Sequence, residues 1–150
     1  GRINGQLLYG GKSSLTDRGS QVPLIMRWPG NIQPGSHNNN MVEAADFLPT
    51  LCEIAGAPLP EESIDGKSFA QSLKGDWLIT SKEWVHVQKR EGSYLRTKDW
   101  IVTDKGEYKK VQPYPLDAVE VDKNSLGPQT RQMLVGLEQT LKNLKPENVE

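Results

Sequence analysis

Residues 10–30, GGKSSLTDRGSQVPLIMRWPG, constrain the fold more than any other stretch of this chain. A glycine pair precedes a single lysine, Lys12, and a polar stretch then leads to the apolar run Leu24-Ile25-Met26. Pro29-Gly30 ends that run. The pattern predicts a flexible loop that carries one cation, a short buried strand over residues 22–28, and a closing Pro-Gly turn.

Lys12 is a candidate ligand for an anion. The adjacent glycines would let the backbone pass close to a bound group, and an ammonium is a compact donor of three hydrogen bonds. From the residues alone, a lysine solvated in a loop is the more common explanation, because one basic residue beside glycines is a weak motif.

Length and composition exclude several classes of protein. A chain of 150 residues suits one domain or pieces of two, and 35% hydrophobic with 25% charged residues is a soluble globular composition. The net charge of −1 gives no general attraction to nucleic acid or to an anionic membrane. Cys52 is the single cysteine, so no internal disulfide can form. Because the sequence opens at Gly1-Arg2 without a methionine, we expect a fragment or a processed product.

The first half of the chain predicts two helices. Asp46 is the expected N-cap of the first helix, which Gly56 should end. Ser68 and Gln71 fit a capping box for a second, short helix closed by Gly75. The apolar spacing of the first helix predicts one buried face, made of Leu48, Leu51, Cys52 and Ala55.

The second half predicts an antiparallel meander covered by a helix. Short alternating segments joined by polar turns occupy residues 84–111, and residues 112–127 read as irregular. A final helix should open at Pro128 and run to about Lys145, packing on the sheet through its leucines. Those leucines are Leu134, Leu137, Leu141 and Leu144.

His86, in the first strand of this meander, has two interpretations. It could line the mouth of a substrate pocket, or it could pack beside its neighbour Trp84, which is the more common role of such a histidine.

The order of these motifs resembles the sulfatase family. Its members carry a G-G-K-G-x-x-x-E-G-G-x-R-V-P-like segment, then an apolar strand and W-P-G. Matching positions continue through DFLPTL at 46–51, AG at 55–56, DGKSF at 65–69 and LKG at 73–75, about half the chain. In the first segment the matches are Lys12, Gly19, Val22, Pro23, Trp28, Pro29 and Gly30, whereas Asp17, Arg18 and Gln21 depart from the pattern.

The resemblance implies an α+β chain. Residues 1–75 would form the C-terminal end of the large α/β domain of an alkaline-phosphatase-like fold, and residues 82–150 a small sheet-plus-helix subdomain. It implies that Lys12 contacts the sulfate as a catalytic cation and that His86 is a candidate substrate-binding residue. Cys52 lacks the following Pro and Arg of C-x-P-x-R, so it is not the residue that becomes formylglycine.

The resemblance also implies what the rest of the enzyme supplies. A sulfatase uses calcium and formylglycine, and we expect the metal ligands and the modified residue to lie outside this chain. The expected partners are a sulfated small molecule or glycan and the missing N-terminal part of the same protein, with no nucleic acid and no membrane. A periplasmic or extracellular location is implied as well.

Two alternatives stay open on the sequence. The chain could be part of a related phosphomonoester or phosphonate-ester hydrolase, in which a Thr or Ser nucleophile replaces the upstream C-x-P-x-R. It could also be a non-catalytic binding module built on the meander and the final helix.

Overall fold

The chain has an α+β fold, described by a computed structural model for residues 2–3, 5–7, 9–12, 14–75, 82–113 and 117–144. It divides into two compact units. The first combines Gly1–Pro23 with His86–Glu150, and the second is Leu24–Val85. The predicted division into residues 1–75 and 82–150 refers to domains of a longer protein and stays a prediction.

A five-stranded sheet forms the centre of the first unit, in the order β3-β4-β5-β6-β7. The predicted meander is confirmed, with Tyr94 opposite Thr103 and Ile101 opposite Lys109 in antiparallel register. The strands are β3 (Val85–Lys89), β4 (Gly92–Arg96), β5 (Trp100–Thr103), β6 (Tyr108–Lys110) and β7 (Val119–Glu120).

Strand β7 lies in the segment that the sequence predicted to be irregular. It has two residues, and it is defined by pairing with β6, where Lys110 lies opposite Val119. Two residues are too few to show an alternating pattern, so sequence periodicity has no signal here. A 3₁₀ turn, Lys123–Ser125, follows it.

Helix α4 (Pro128–Leu144) covers one face of this sheet, as predicted, and packs on β4 and β5. Leu134 is fully buried against Val102 and Tyr108, with Leu137 half-buried beside them. Leu141 is also buried, whereas Leu144 at the end of the helix is exposed. The apolar stripe therefore covers the sheet over most of its predicted length.

The N-terminal segment belongs to the same unit. β1 (Arg2–Ile3) and β2 (Gln6–Leu7) form a hairpin around Gly5, whose φ of +79° suits a tight turn. The four-residue helix α1 (Asp17–Ser20) follows.

The second unit contains a 3₁₀ turn (Ala44–Asp46), helix α2 (Phe47–Ala55) and helix α3 (Ala70–Leu73). Gly56 ends α2 in the left-handed conformation, with φ +64°, and its N–H reaches the Cys52 carbonyl, as predicted. The capping box is wrong: Ser68 Oγ accepts from the Ala70 N–H, but the Gln71 side chain donates to Glu53 at 2.6 Å.

The predicted buried face of α2 is wrong. Leu48 is 47% and Leu51 58% exposed, whereas Pro49 and Thr50 are buried. Within the described residues the helix is held from the Thr50 side, where Thr50 Oγ1 accepts from the Phe69 N–H at 3.0 Å. An apolar helix face stays exposed when no second element packs on it.

The predicted strand over residues 22–28 is also wrong. The segment has no regular structure, and Ile25 is 90% exposed. A strand requires a hydrogen-bonded neighbour, and the described part of the chain gives this run none. The Pro-Gly turn after it does form, since Gly30 has φ +82° and the Asn31 N–H donates to the Trp28 carbonyl.

Candidate functional site

Lys12 lies exposed in a turn that its neighbours fix. The Gly11 carbonyl accepts two hydrogen bonds from Ser14, one from the backbone N–H at 2.9 Å and one from Oγ at 2.7 Å. Ser14 Oγ also lies 2.7 Å from the hydroxyl of Thr16. The turn therefore holds the backbone on both sides of Lys12 while the lysine itself faces solvent.

Two glycines in this loop are required by close packing. A Cβ on Gly11 would collide with Arg18, and a Cβ on Gly19 would collide with the carbonyls of Gly11 and Ser14. The loop folds back on itself so tightly that a side chain fits at neither position. From the sequence, the glycine pair was interpreted as leaving space for a ligand. At Gly11, however, the protein's own chain at Arg18 occupies that space.

Helix α1 attaches this loop to the sheet. Arg96 of β4 pairs with Asp17, with 3.3 Å between Nη2 and Oδ2, and both side chains are largely buried. Next to this pair, Ser20 Oγ lies 2.7 Å from the Tyr94 hydroxyl. Burial raises the pKa of Tyr94, as does the nearby charge of Asp17, so this hydroxyl stays protonated beside the pair.

Two further contacts attach the loop. Arg18 pairs with Asp117 at 2.9 Å, and Lys89 Nζ at the end of β3 donates to the Ser14 carbonyl at 3.0 Å. The loop that carries Lys12 is therefore tied to the sheet through β3 and β4 and to the segment before β7.

The sequence did not identify these attachments. Asp17 and Arg18 stood out as departures from the family pattern, and the structure shows each of them in an ion pair. Their partners, Arg96 and Asp117, lie 79 and 99 residues further along the chain. No local periodicity connects residues at such separations.

His86 belongs to the same compact unit as Lys12 and is half-buried on β3. On the same strand, Lys89 contacts the Lys12 loop. Because His86 and Lys89 are three positions apart, the pleat places their side chains on opposite faces. The substrate-binding role of His86 stays a prediction.

The described residues contain no group of three or more His, Cys, Asp or Glu side chains that could hold a metal ion. The carboxylates of Glu43 and Asp46 lie close together, but Lys82 Nζ bonds to both, at 2.9 Å from Asp46. An ammonium between two carboxylates leaves no place for calcium, so these residues do not fit that cofactor.

Asp46 instead organises the second unit. It is fully buried, and it accepts from the Glu43 N–H at 2.9 Å and from the Lys67 N–H at 2.8 Å. Burial opposes the charge of Lys82, but hydrogen bonds and attraction from Glu43 and Asp46 outweigh it, so the pKa of Lys82 is raised. Asp46 stands at the predicted N-cap position, yet its side chain makes no cap to α2.

Chemically, the Lys12 loop can offer one cation to an anionic group at a fixed place on the sheet. Among the described residues there is no helix that is both long and apolar enough to cross a membrane.

Comparison with known proteins identifies the family to which this chain is similar. The family described as N-sulphoglucosamine sulphohydrolase, C-terminal, matches residues 7–139, which include Lys12, His86 and the complete sheet. That match covers well over half of the chain.

Individual relatives agree. An ulvan-active sulfatase of Formosa agariphila is 46% identical over 43% of this chain, and human steryl-sulfatase is 41% identical over 57%. An N-acetylgalactosamine-6-O-sulfatase of Bacteroides thetaiotaomicron is 26% identical over 96% of the chain. The matches cover 13%, 15% and 32% of these three relatives, so the chain spans less than a third of their length. The chain belongs to the sulfatase family and corresponds to the C-terminal portion of its members.

Proposed function

We propose that this chain is the C-terminal part of an enzyme that hydrolyses sulfate esters, and that Lys12 contacts the sulfate. The observation that carries the proposal is the family match over residues 7–139, because it includes the lysine loop together with the sheet that holds it. A non-catalytic binding module is not favoured, since the relatives that match are sulfatases.

The geometry supports a role in stabilising charge. Cleavage of a sulfate ester spreads negative charge over the sulfuryl oxygens and the departing oxygen, and a cation already in position stabilises that charge. Lys12 faces solvent from a turn fixed by Ser14 and attached to β3 and β4. Little reorganisation is then needed when the substrate arrives.

The nucleophile and the metal ligands would come from the rest of the longer protein. Calcium and formylglycine are the groups that the resemblance implies, and the described carboxylates do not fit the metal. Cys52 lies half-buried on α2, outside the motif that is converted to formylglycine. From the resemblance we also propose that residues 1–75 form the end of an alkaline-phosphatase-like domain and that the protein is periplasmic or extracellular.

The exposed apolar surface of the second unit supports a missing N-terminal part. Leu48, Leu51 and Phe47 of α2 are exposed together with Leu24 and Ile25. Burial of such side chains contributes roughly 1.5–3 kcal/mol each, so a chain that leaves them in water loses much of its possible stability. We propose that the N-terminal part covers them.

The proposed substrate is a sulfated small molecule or glycan. The three relatives are named as an ulvan-active sulfatase, a steryl-sulfatase and an N-acetylgalactosamine-6-O-sulfatase. These names indicate three different substrates for related proteins. Specificity depends on the shape of the complete pocket rather than on the fold.

The test is hydrolysis of an aryl sulfate, with an aryl phosphate as the comparison substrate, by the longer protein that carries this chain, assayed with calcium. We expect turnover of the sulfate and little of the phosphate. The 150-residue chain alone should show no turnover above a heat-inactivated control. A longer protein that cleaves the phosphate and not the sulfate would make it a phosphoester hydrolase and overturn the proposal.

A further inference from the structure

A cationic groove runs along one side of helix α4. Its volume is about 370 Å³, near the lower end of the range of roughly 300–1,000 Å³ usual for ligand pockets. The α4 residues that line it recur at helical spacing, so they form one stripe of the helix. In that stripe are Arg131, Val135, Glu138, Gln139 and Lys142.

The opposite wall comes from Tyr108 of β6 and from Lys123 and Asn124 of the 3₁₀ turn. Tyr108 is buried, and its hydroxyl donates to Glu138 Oε2 at 2.8 Å, which fixes the position of that carboxylate in the groove lining. Lys123 Nζ lies 4.3 Å above the Tyr108 ring and 3.7 Å from the same carboxylate.

The groove carries more positive than negative charge. Lys123, Arg131 and Lys142 contribute three cations and Glu138 one carboxylate, an excess of two charges in a chain whose net charge is −1. Both lysines share the single carboxylate, with Lys142 at 3.0 Å. Arg131 makes two hydrogen bonds to backbone carbonyls at 3.4 Å, which is longer than usual for N–H···O bonds, so its donors are available for a stronger acceptor.

The spacing of these cations suits an extended ligand. Arg131 and Lys142 are 11 residues apart on α4, which places them about 16 Å apart along the helix axis. A single sulfate group cannot reach both of them. Asn124 and Gln139 also line the groove and offer amide donors and acceptors of the kind that bind hydroxyl groups.

We propose that this groove binds a sulfated oligosaccharide through Lys123, Arg131 and Lys142. The inference rests on the proposed sulfatase function and extends it: the substrate class is a polyanionic glycan, held at a second place as well as at the Lys12 loop. The lysines and the arginine take sulfate groups, and the amides take hydroxyl groups of the sugar. Attraction of this kind weakens as salt is added.

The experiment measures binding of a sulfated hexasaccharide and of its desulfated counterpart to the longer protein by titration calorimetry. Lys123→Gln combined with Arg131→Gln should raise the Kd of the sulfated hexasaccharide roughly tenfold, the scale expected when two exposed charge-assisted contacts are lost. The matched control is Lys98→Gln with Arg90→Gln, which removes one lysine and one arginine from exposed positions outside the groove lining. It should leave the Kd unchanged.

Turnover of a small aryl sulfate separates this inference from the proposed function. That substrate is too short to occupy the groove, so its kcat/KM should be the same in both double variants and in the unmodified protein. If the unmodified protein shows no aryl sulfatase activity, that result would count against the proposed function. Normal activity with equal hexasaccharide Kd in both double variants, or equal binding of the desulfated hexasaccharide, would overturn the groove inference.

Discussion

Arg96 pairs with Asp17 across 79 residues of sequence and holds helix α1 against strand β4. Both side chains are largely buried, at 18% and 16% exposed. The pair lies at one end of the loop whose other end carries Lys12, so a change in the pair should displace Lys12, the proposed sulfate contact, without altering Lys12 itself.

Asp17→Asn should therefore lower kcat/KM for an aryl sulfate clearly, while it causes only a small loss of stability. We expect roughly a ten- to hundredfold loss of kcat/KM, because small displacements of a catalytic group are costly. The loss of stability should be about 1–2 kcal/mol, between the values for exposed and buried ion pairs. Hydrogen exchange of the backbone N–H groups of residues 14–20 would report the loosening.

The control for this pair is a charge swap. Asp17→Arg combined with Arg96→Asp should recover part of what each single change loses, because the attraction is restored in reverse. If the two losses simply add, the pair does not position the loop.

Asp46 should be the most sensitive position in the second unit. Asp46→Ala leaves the Lys82 ammonium and the N–H groups of Glu43 and Lys67 without their buried acceptor. We expect a destabilisation of about 3–5 kcal/mol, as when one member of a buried ion pair is removed. Thermal unfolding measures it, and a loss below about 1 kcal/mol would show that the network is dispensable.

The matched control at this place is Asp46→Asn. The amide oxygen can still accept from one of the two backbone N–H groups, but the other N–H loses its acceptor and Lys82 loses the charge that attracts it, so the destabilisation should be intermediate. A variant as unstable as Asp46→Ala would show that the one acceptor kept by the amide adds no stability.

Tyr108 should lose its proton at a higher pH than an ordinary tyrosine. Its burial, together with the hydrogen bond to Glu138 and the charge of that carboxylate, raises the pKa of Tyr108 to about 12 from 10.0. In the folded protein the proton is retained between these values while the unfolded chain releases it, so stability from this group is complete below about pH 10 and is lost as the pH rises toward 12.

Ultraviolet absorbance of tyrosinate during an alkaline titration checks this expectation. Glu138→Gln removes the negative charge, so the tyrosine transition that occurs at the highest pH should move to lower pH. If the titration of all tyrosines is the same in Glu138→Gln and in the unmodified protein, Tyr108 is not held by that carboxylate.

The sequence predicted best where one local pattern determines one element. The alternation over residues 84–111 and the leucine spacing after Pro128 predicted the sheet and its covering helix, because both elements bury those faces against each other within this chain. The apolar face of α2 and the run at residues 22–28 have equally clear patterns, yet they are exposed. A pattern tells which side is apolar but not whether the chain contains the surface that covers it.

The candidate site divides in the same way. Lys12 was proposed as a candidate from its flanking glycines and the resemblance, whereas the Arg96–Asp17, Arg18–Asp117 and Lys89–Ser14 contacts had no local signal. Such contacts depend on the tertiary arrangement of residues far apart in sequence. The glycines at 11 and 19 were visible, but their cause, the backbone packing on itself, was not.

The central claim is that the ammonium of Lys12 stabilises the charge of a sulfate ester as it is cleaved, and Lys12→Ala in the longer enzyme tests it most directly. Lys12 is exposed and its turn is fixed by Gly11 and Ser14, so the melting temperature should not change. The kcat/KM for an aryl sulfate should fall by about two to three orders of magnitude, the scale of a lost charge contact in a preorganised site. Lys12→Arg should recover part of that loss, since a planar guanidinium does not replace a compact ammonium. A Lys12→Ala enzyme with near-normal kcat/KM and an unchanged melting temperature would contradict the claim and leave Lys12 a solvated loop residue.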